Sequence, residues 1–140
     1  VTAIEHDIVL TKCAQIERAL RRVEDVVAGD LTRLDDLMVA DVVALNLQRA
    51  CQSTIDLAQH LVAAHRLGLP ASMAENFSLL QQAGLLSADL AGKMRAMVGF
   101  RNVAVHSYDQ LDPAVVGRVA TAGTADIRAF VAWAIDLARL

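Results

Sequence analysis

Apolar residues recur along this chain at helical spacing and almost never at alternate positions. Val9, Cys13, Ile16, Leu20, Val23 and Val27 follow at steps of four and three, one apolar stripe on a helix of about residues 3–28. Gly29 comes next, where a left-handed residue closes a helix. A second helix is predicted over about 33–66. Leu34, Met38 and Leu45 mark one of its sides, Val39, Val43, Leu47 and Leu57 another, and Ile55 and Val62 a third line. A helix apolar on several sides is central in its bundle or also faces a partner. Gly68 and Pro70 then stop it.

Ser72 opens a third helix, with Glu75 at the fourth position of a capping box. Its apolar residues are Met73, Phe77, Leu79 and Leu80, and Gly84 follows. Ser87 is an N-cap for a fourth helix over about 88–110. Pro113 lies just inside the start of a fifth. The stretch TAGT (121–124) breaks or bends it, and the last segment, 125–139, buries Ile127, Phe130, Val131, Ala134, Leu137 and Ala138. The expected fold class is all-α: an antiparallel bundle of five to six helices, one domain over residues 1–140.

Composition agrees. Of 140 residues 55% are apolar and only 2 are Pro, which excludes a disordered chain. Two cysteines, Cys13 and Cys51, make no disulfide framework and suit a reducing, cytoplasmic setting. The chain opens on Val1, so an initiator Met is expected to have been lost, trimmed or omitted. The first ten residues lack the basic stretch and cleavage site of a signal peptide, and no apolar run approaches the ~20 residues that span a bilayer. Thirteen Lys/Arg against sixteen Asp/Glu give a net charge of −3. That counts mildly against polyanion binding, so any contact with nucleic acid must come from a local patch.

The chemistry is concentrated in MVGFRNVAVHSYDQLD (97–112), which holds Arg101, Asn102, His106 and Tyr108, the single tyrosine. At ~100° per residue, Asn102 and His106 lie one turn apart on one face, with Arg95 and Gly99 on the same line. Glycine inside a helix costs roughly 1 kcal/mol relative to Ala and is kept where a backbone or ligand comes close. The face therefore has a shallow spot flanked by Arg95, Asn102 and His106. Arg101 and His106 are about 140° apart on a straight helix. A site that uses both is easier to make where two copies of the helix meet across a dyad.

Arg, Asn and His suit metal-independent RNA cleavage. An imidazole, with an ordinary pKa of about 6.5, can act as base or acid near neutrality. An Arg offers a permanently charged planar fork to phosphate oxygens. One group removes the 2′-OH proton, that oxygen attacks the neighbouring phosphorus, a cation stabilises the phosphorane and an acid protonates the leaving 5′-oxygen. Spacing alone also fits a surface Arg beside a satisfied His.

Arg101, four residues, His106, one residue, then Tyr108 resembles the Arg-four-His-any-Tyr motif of HepT toxins, in the HEPN superfamily of helical ribonucleases. NLQRACQSTIDLAQHLVA (46–63) resembles the second helix of these proteins, and LGLPASMAENFSLLQQAGLLS (67–87) their helix-to-helix connection. The resemblance covers nearly the whole chain. It implies a HEPN-like bundle dimerising through the motif helix, and metal-independent RNase activity toxic to the host cell. Arg101 and His106 take the family's catalytic positions, and Asn102 matches the polar residue that follows the Arg. Tyr108 matches the tyrosine modified with AMP from ATP by a cognate MntA-like nucleotidyltransferase antitoxin. The implied partners are RNA, that antitoxin and a second copy of the chain, with a larger hetero-oligomer open.

A negative phosphodiester beside a phosphate-binding Arg would repel RNA and fill the cleft. Residues 86–106 fit local RNA contact, with Lys93, Arg95 and Arg101 against Asp89 alone. Arg95 is a further candidate RNA contact.

Other residues read more plainly. Arg18, Arg21 and Arg22 form a solvated face. His60 and His65 have no metal-ligand partners at suitable spacing, and His6 is expected to be exposed. Cys13 and Cys51 are buried packing residues, and Met94 and Met97 are core or dimer-contact residues. No glycine-rich phosphate loop is present, so no cofactor is expected and ATP belongs to the partner. Two further readings stay open: a non-catalytic helical binding subunit of a nucleotidyltransferase complex, and a structural helical adaptor.

Overall fold

A computed structural model of the chain describes residues 2–139. Among them there is no strand. Helix α1 spans Ala3–Val27, α2 Leu37–Ala64, α3 Glu75–Gln82, α4 Ala88–His106, α5 Pro113–Arg118 and α6 Thr124–Ala138. The all-α expectation holds, and α2 is the central helix, packed against α1, α3, α4, α5 and α6. No helix of the described residues is long and apolar enough to cross a membrane.

The α1 stripe is the core stripe: Val9, Cys13, Ile16, Leu20, Val23 and Val27 are all buried. It closes one residue earlier than its glycine suggests, because Ala28 itself takes the left-handed conformation (φ 50°) and donates to Glu24 O at 2.7 Å. Helix α2 begins later than expected, and the reason is two aspartates. Asp30 accepts from Thr32 N at 3.0 Å and caps a short 3₁₀ turn, Leu31–Asp35. Asp36 then leaves helical geometry (ψ 121°) and caps α2, accepting from Met38 N at 2.9 Å.

At its other end α2 stops at Ala64. Arg66 adopts φ 55°, and the bonds Arg66 N to Ala63 O (3.1 Å) and Leu67 N to Val62 O (3.0 Å) close a Schellman turn before Gly68 is reached. The Ser72–Glu75 pair is present but its helix starts three residues later. Ser72 Oγ accepts from Glu75 N at 3.2 Å, while the Glu75 carboxylate reaches back to Ala71 N rather than to Ser72. The bonds Asn76 N to Met73 O and Phe77 N to Ala74 O then tighten the entry into α3.

Ser87 caps α4 by accepting from Leu90 N at 3.2 Å. The helix ends at His106, four residues short of the expectation. Ser107 leaves helical geometry (φ −144°, ψ 47°) and Tyr108–Gln110 forms a separate 3₁₀ turn. The chain must turn here, because Asp112 already caps α5 and Leu111 packs against the core. The TAGT region, expected to break or bend the fifth helix, falls where the α-helical pattern is interrupted without a loop. Val119–Gly123 is one π turn joining α5 to α6, and a Cβ on Gly123 would meet Val119 Cγ1 at 3.0 Å.

The inner faces meet at an aromatic cluster. Phe77 meets Phe130 edge-on at 5.4 Å, Phe130 lies 5.0 Å from Trp133, and Trp133 Nε1 donates to Leu85 O at 2.8 Å. Arg128 of α6 bridges Glu17 and Glu24 of α1. Cys13 and Cys51 are buried and unpaired, and burial pushes the Cys51 thiol up to about 12, which suits packing and not nucleophilic chemistry. Met94 and Met97 are core residues. His6 is half-buried instead of exposed.

Candidate functional site

The outer face of α4 is open. Gly99 is exposed and no heavy atom of another part of the chain would meet a Cβ placed there within 4 Å. Whatever close approach this glycine permits, nothing among the described residues supplies it. Asn102 and His106 are exposed on this face, and Val103 and Val105, 39% and 36% exposed, flank them. His106 is the last residue of α4.

Arg101 is half-buried and tightly placed. Its Nε donates to Gln52 Oε1 of α2 at 3.0 Å, and its Nη1 donates to Asn102 Oδ1 at 3.1 Å. The guanidinium does curl toward Asn102, and α2 fixes it there. Gln52 is oriented in turn, since its Nε2 donates to Asp56 Oδ1 at 2.9 Å, and Asp56 lies 3.8 Å from Lys12 Nζ. Arg101 and Asn102 are thus brought together, whereas His106 shares no hydrogen bond with either among the described residues.

Tyr108 sits off the helix, in the 3₁₀ turn. Its hydroxyl donates to Asp41 Oδ1 of α2. This bond holds the phenol proton and is the main reason its pKa is pushed up to about 12, with burial adding to it. The contacts Arg101–Gln52 and Tyr108–Asp41 run in opposite order along α4 and α2, as antiparallel helices require. Their anchors are eleven residues apart on α2, roughly 16 Å at 1.5 Å per residue. The tyrosine is therefore anchored well apart from the Arg–Asn pair along α2.

Arg95 has turned to α3, donating to Gln81 Oε1 at 3.0 Å and reaching Ser78 Oγ at 3.5 Å. Lys93 is paired with Asp89 at 3.1 Å and approaches Asp126 at 3.9 Å. Of the basic residues on α4, Arg101 is therefore the one held next to Asn102. Among the described residues no group of three or more His, Cys, Asp or Glu could hold a metal ion.

Gln52, Asp56 and Asp41 are the residues sequence reasoning missed. A Gln and an Asp four apart on a helix are a known pairing, so Gln52–Asp56 left a local signal. The bonds to Arg101 and Tyr108 left none, because they depend on how α2 and α4 pack.

Comparison with known proteins follows the same residues. The family described as "Ribonuclease HepT-like" matches residues 16–133. The mRNA nuclease HepT of Shewanella oneidensis is 36% identical over 126 residues, covering 90% of this chain and 95% of that protein. A solved structure of a tri-AMPylated Shewanella oneidensis HEPN toxin in complex with MNT antitoxin superposes with TM-score 0.85 at 37% identity, over 91% of this chain and 96% of that one. A toxin–antitoxin structure with AMP-PNP gives TM-score 0.85 at 36% identity, over 91% of this chain and 96% of that one. On this breadth of match, and with the helical architecture in place, the chain belongs to the HepT-like ribonuclease family.

Proposed function

We propose that this chain is the RNase toxin of a toxin–antitoxin pair. It cuts RNA without a metal at a cleft where two copies of α4 meet, and a nucleotidyltransferase antitoxin silences it by attaching AMP to Tyr108. The observation that carries this reading is the open α4 face, on which Arg101 is locked against Asn102 and the exposed His106 stands one turn on. The names of the relatives, an mRNA nuclease and an AMPylated toxin with its antitoxin, support the same reading.

In this mechanism Arg101 grips the scissile phosphate and stabilises the negative charge of the phosphorane. Its fork is permanently charged and needs no proton bookkeeping. Asn102 keeps the guanidinium aimed across the face. His106 exchanges the proton, taking it from the 2′-OH or returning one to the leaving 5′-oxygen. A symmetric pair supplies two such histidines. Gly99, Val103 and Val105 give the second copy an uncluttered apolar surface beside the site. Arg95 serves as an outer contact, once RNA draws it from Gln81.

Tyr108 is 43% exposed and within reach of a partner enzyme. An adenylate there adds negative charge and bulk on the side of the molecule that carries α4, opposing the entry of RNA. ATP belongs to the antitoxin, as AMP-PNP in the related toxin–antitoxin structure suggests.

Expression of this chain alone should arrest growth of a reducing bacterial cytoplasm's host, and co-expression with the antitoxin should relieve it. Intact mass of the co-expressed protein should rise in steps of AMP on Tyr108. Arg101→Ala or His106→Ala should abolish toxicity with folding intact. A His106→Ala chain as toxic as the wild type would overturn the catalytic assignment. A purified dimer that leaves RNA intact yet binds the antitoxin tightly would favour the non-catalytic binding subunit.

A further inference from the structure

The bond between Tyr108 and Asp41 is not used by RNA cleavage. It joins residues 67 apart in sequence, from the 3₁₀ turn after α4 to the first turns of α2. Both residues are exposed, so the phenol oxygen is open to an approaching reactant while its proton points at a carboxylate. The pair lines a cavity of about 250 Å³ whose other walls include Leu34, Leu37, Leu111 and Val116. The titratable groups of that cavity are Asp41 from α2, with Tyr108 and Asp109 from the turn itself. Leu34 of the first 3₁₀ turn and Val116 of α5 add none, and Asp109 makes no hydrogen bond to the phenol.

A nucleophile and a base within hydrogen-bond reach are the signature of an activated side chain. We propose that Asp41 is the general base for modification of Tyr108, contributed by the toxin itself to the reaction that silences it. The proposal rests on the reading that Tyr108 is adenylylated. A phenol attacks phosphorus poorly unless it loses its proton, and the same bond that holds this proton makes spontaneous ionisation at neutral pH rarer than usual. Proton loss must then accompany attack, and Asp41 is the group touching that proton. As the Tyr108 oxygen forms its bond to the α-phosphorus of a nucleoside triphosphate held by the partner enzyme, the bond from that phosphorus to the pyrophosphate oxygen breaks. Pyrophosphate leaves, and the phenol proton passes to Asp41 Oδ1 and then to water. Asn at position 41 would keep the shape and an acceptor oxygen but could not take the proton.

The test measures the initial rate of mass gain on the full chain with purified antitoxin, Mg²⁺ and ATP over a series of pH values. Wild type, Asp41→Asn and Tyr108→Phe are compared, with thermal midpoints as the folding control. Near neutral pH, Asp41→Asn should be slower by about 100-fold or more, the usual contribution of a general base. Its rate should climb about tenfold per pH unit toward the tyrosine's own pKa, while the wild-type rate levels off. Asp41→Asn matching or exceeding wild type would overturn the role of Asp41 and leave Tyr108 as the modified residue. A slower Asp41→Asn with the wild-type pH profile would also overturn it, reducing Asp41 to a positioning residue. No gain by wild type, or an equal gain by Tyr108→Phe, would overturn the Tyr108 reading and the proposal with it.

Discussion

Gln52→Ala removes the α2 anchor of Arg101 while leaving the guanidinium in the protein. Three bonds set the size of the effect: Arg101 Nε to Gln52 Oε1 at 3.0 Å, Arg101 Nη1 to Asn102 Oδ1 at 3.1 Å, and Gln52 Nε2 to Asp56 Oδ1 at 2.9 Å. A hydrogen bond to a charged group contributes about 1.5–3 kcal/mol. The Arg101–Gln52 bond is only partly buried, so the low end applies, and about 1.5 kcal/mol corresponds to roughly tenfold in rate. Gln52→Ala should therefore cut RNA about tenfold more slowly under kcat/KM conditions. Arg101→Ala loses the charge itself and should fall by about 100-fold or more, the scale for removing a donor that stabilises transition-state charge. The assay is cleavage of an end-labelled RNA at substrate concentrations well below KM, with thermal midpoints measured in parallel. Wild-type cleavage by Gln52→Ala would refute the claim that α2 aims the arginine. A fall as deep as that of Arg101→Ala, together with a lowered midpoint, would make Gln52 a structural residue instead.

The phenol of Tyr108 should titrate near 12, visible as phenolate absorbance because the chain has a single tyrosine. Its folded pKa lies above the ordinary value of about 10, so this bond's stabilisation is complete below pH ~10 and is lost as pH rises toward 12. Asp41→Asn should bring the transition back toward the ordinary value. Phe130→Ala, at a fully buried ring touching Phe77 and Trp133, should lower the free energy of unfolding by about 3–5 kcal/mol in a denaturant titration. Ala28→Gly relieves a left-handed alanine at the end of α1 and should raise the denaturation midpoint, by about 1 kcal/mol in stability.

Most helices were legible because their signals are local. The buried stripe of α1, the Ser87 cap and Pro113 at the first turn of α5 depend only on near neighbours. The boundary errors have physical causes that compete with periodicity, one local and one set by packing. Asp36 prefers to cap Met38 N over continuing a helix, and the Tyr108 turn follows its contact with Asp41 and the demand of Asp112 to start α5. On the site, helical angles located Asn102, Gly99 and His106 on one open face. They also put Arg95 there, yet its long side chain is claimed by Gln81 and Ser78 of α3. Gln52 and Asp41 were illegible, since the residues they bind lie 49 and 67 positions away and meet them only once α2 and α4 pack. The exposed apolar start of α2, Leu37 and Met38, shows that a helix can be central in the bundle and still present uncovered apolar surface.

The most direct measurement is cleavage of a defined RNA by the purified chain in the presence of chelator, with His106→Ala alongside and the product ends identified. The account expects wild type to leave 2′,3′-cyclic phosphate ends, and His106→Ala, folded to the same thermal midpoint, to leave the RNA intact. Cleavage by His106→Ala at the wild-type rate, or wild-type products with 5′-phosphate ends, would contradict it.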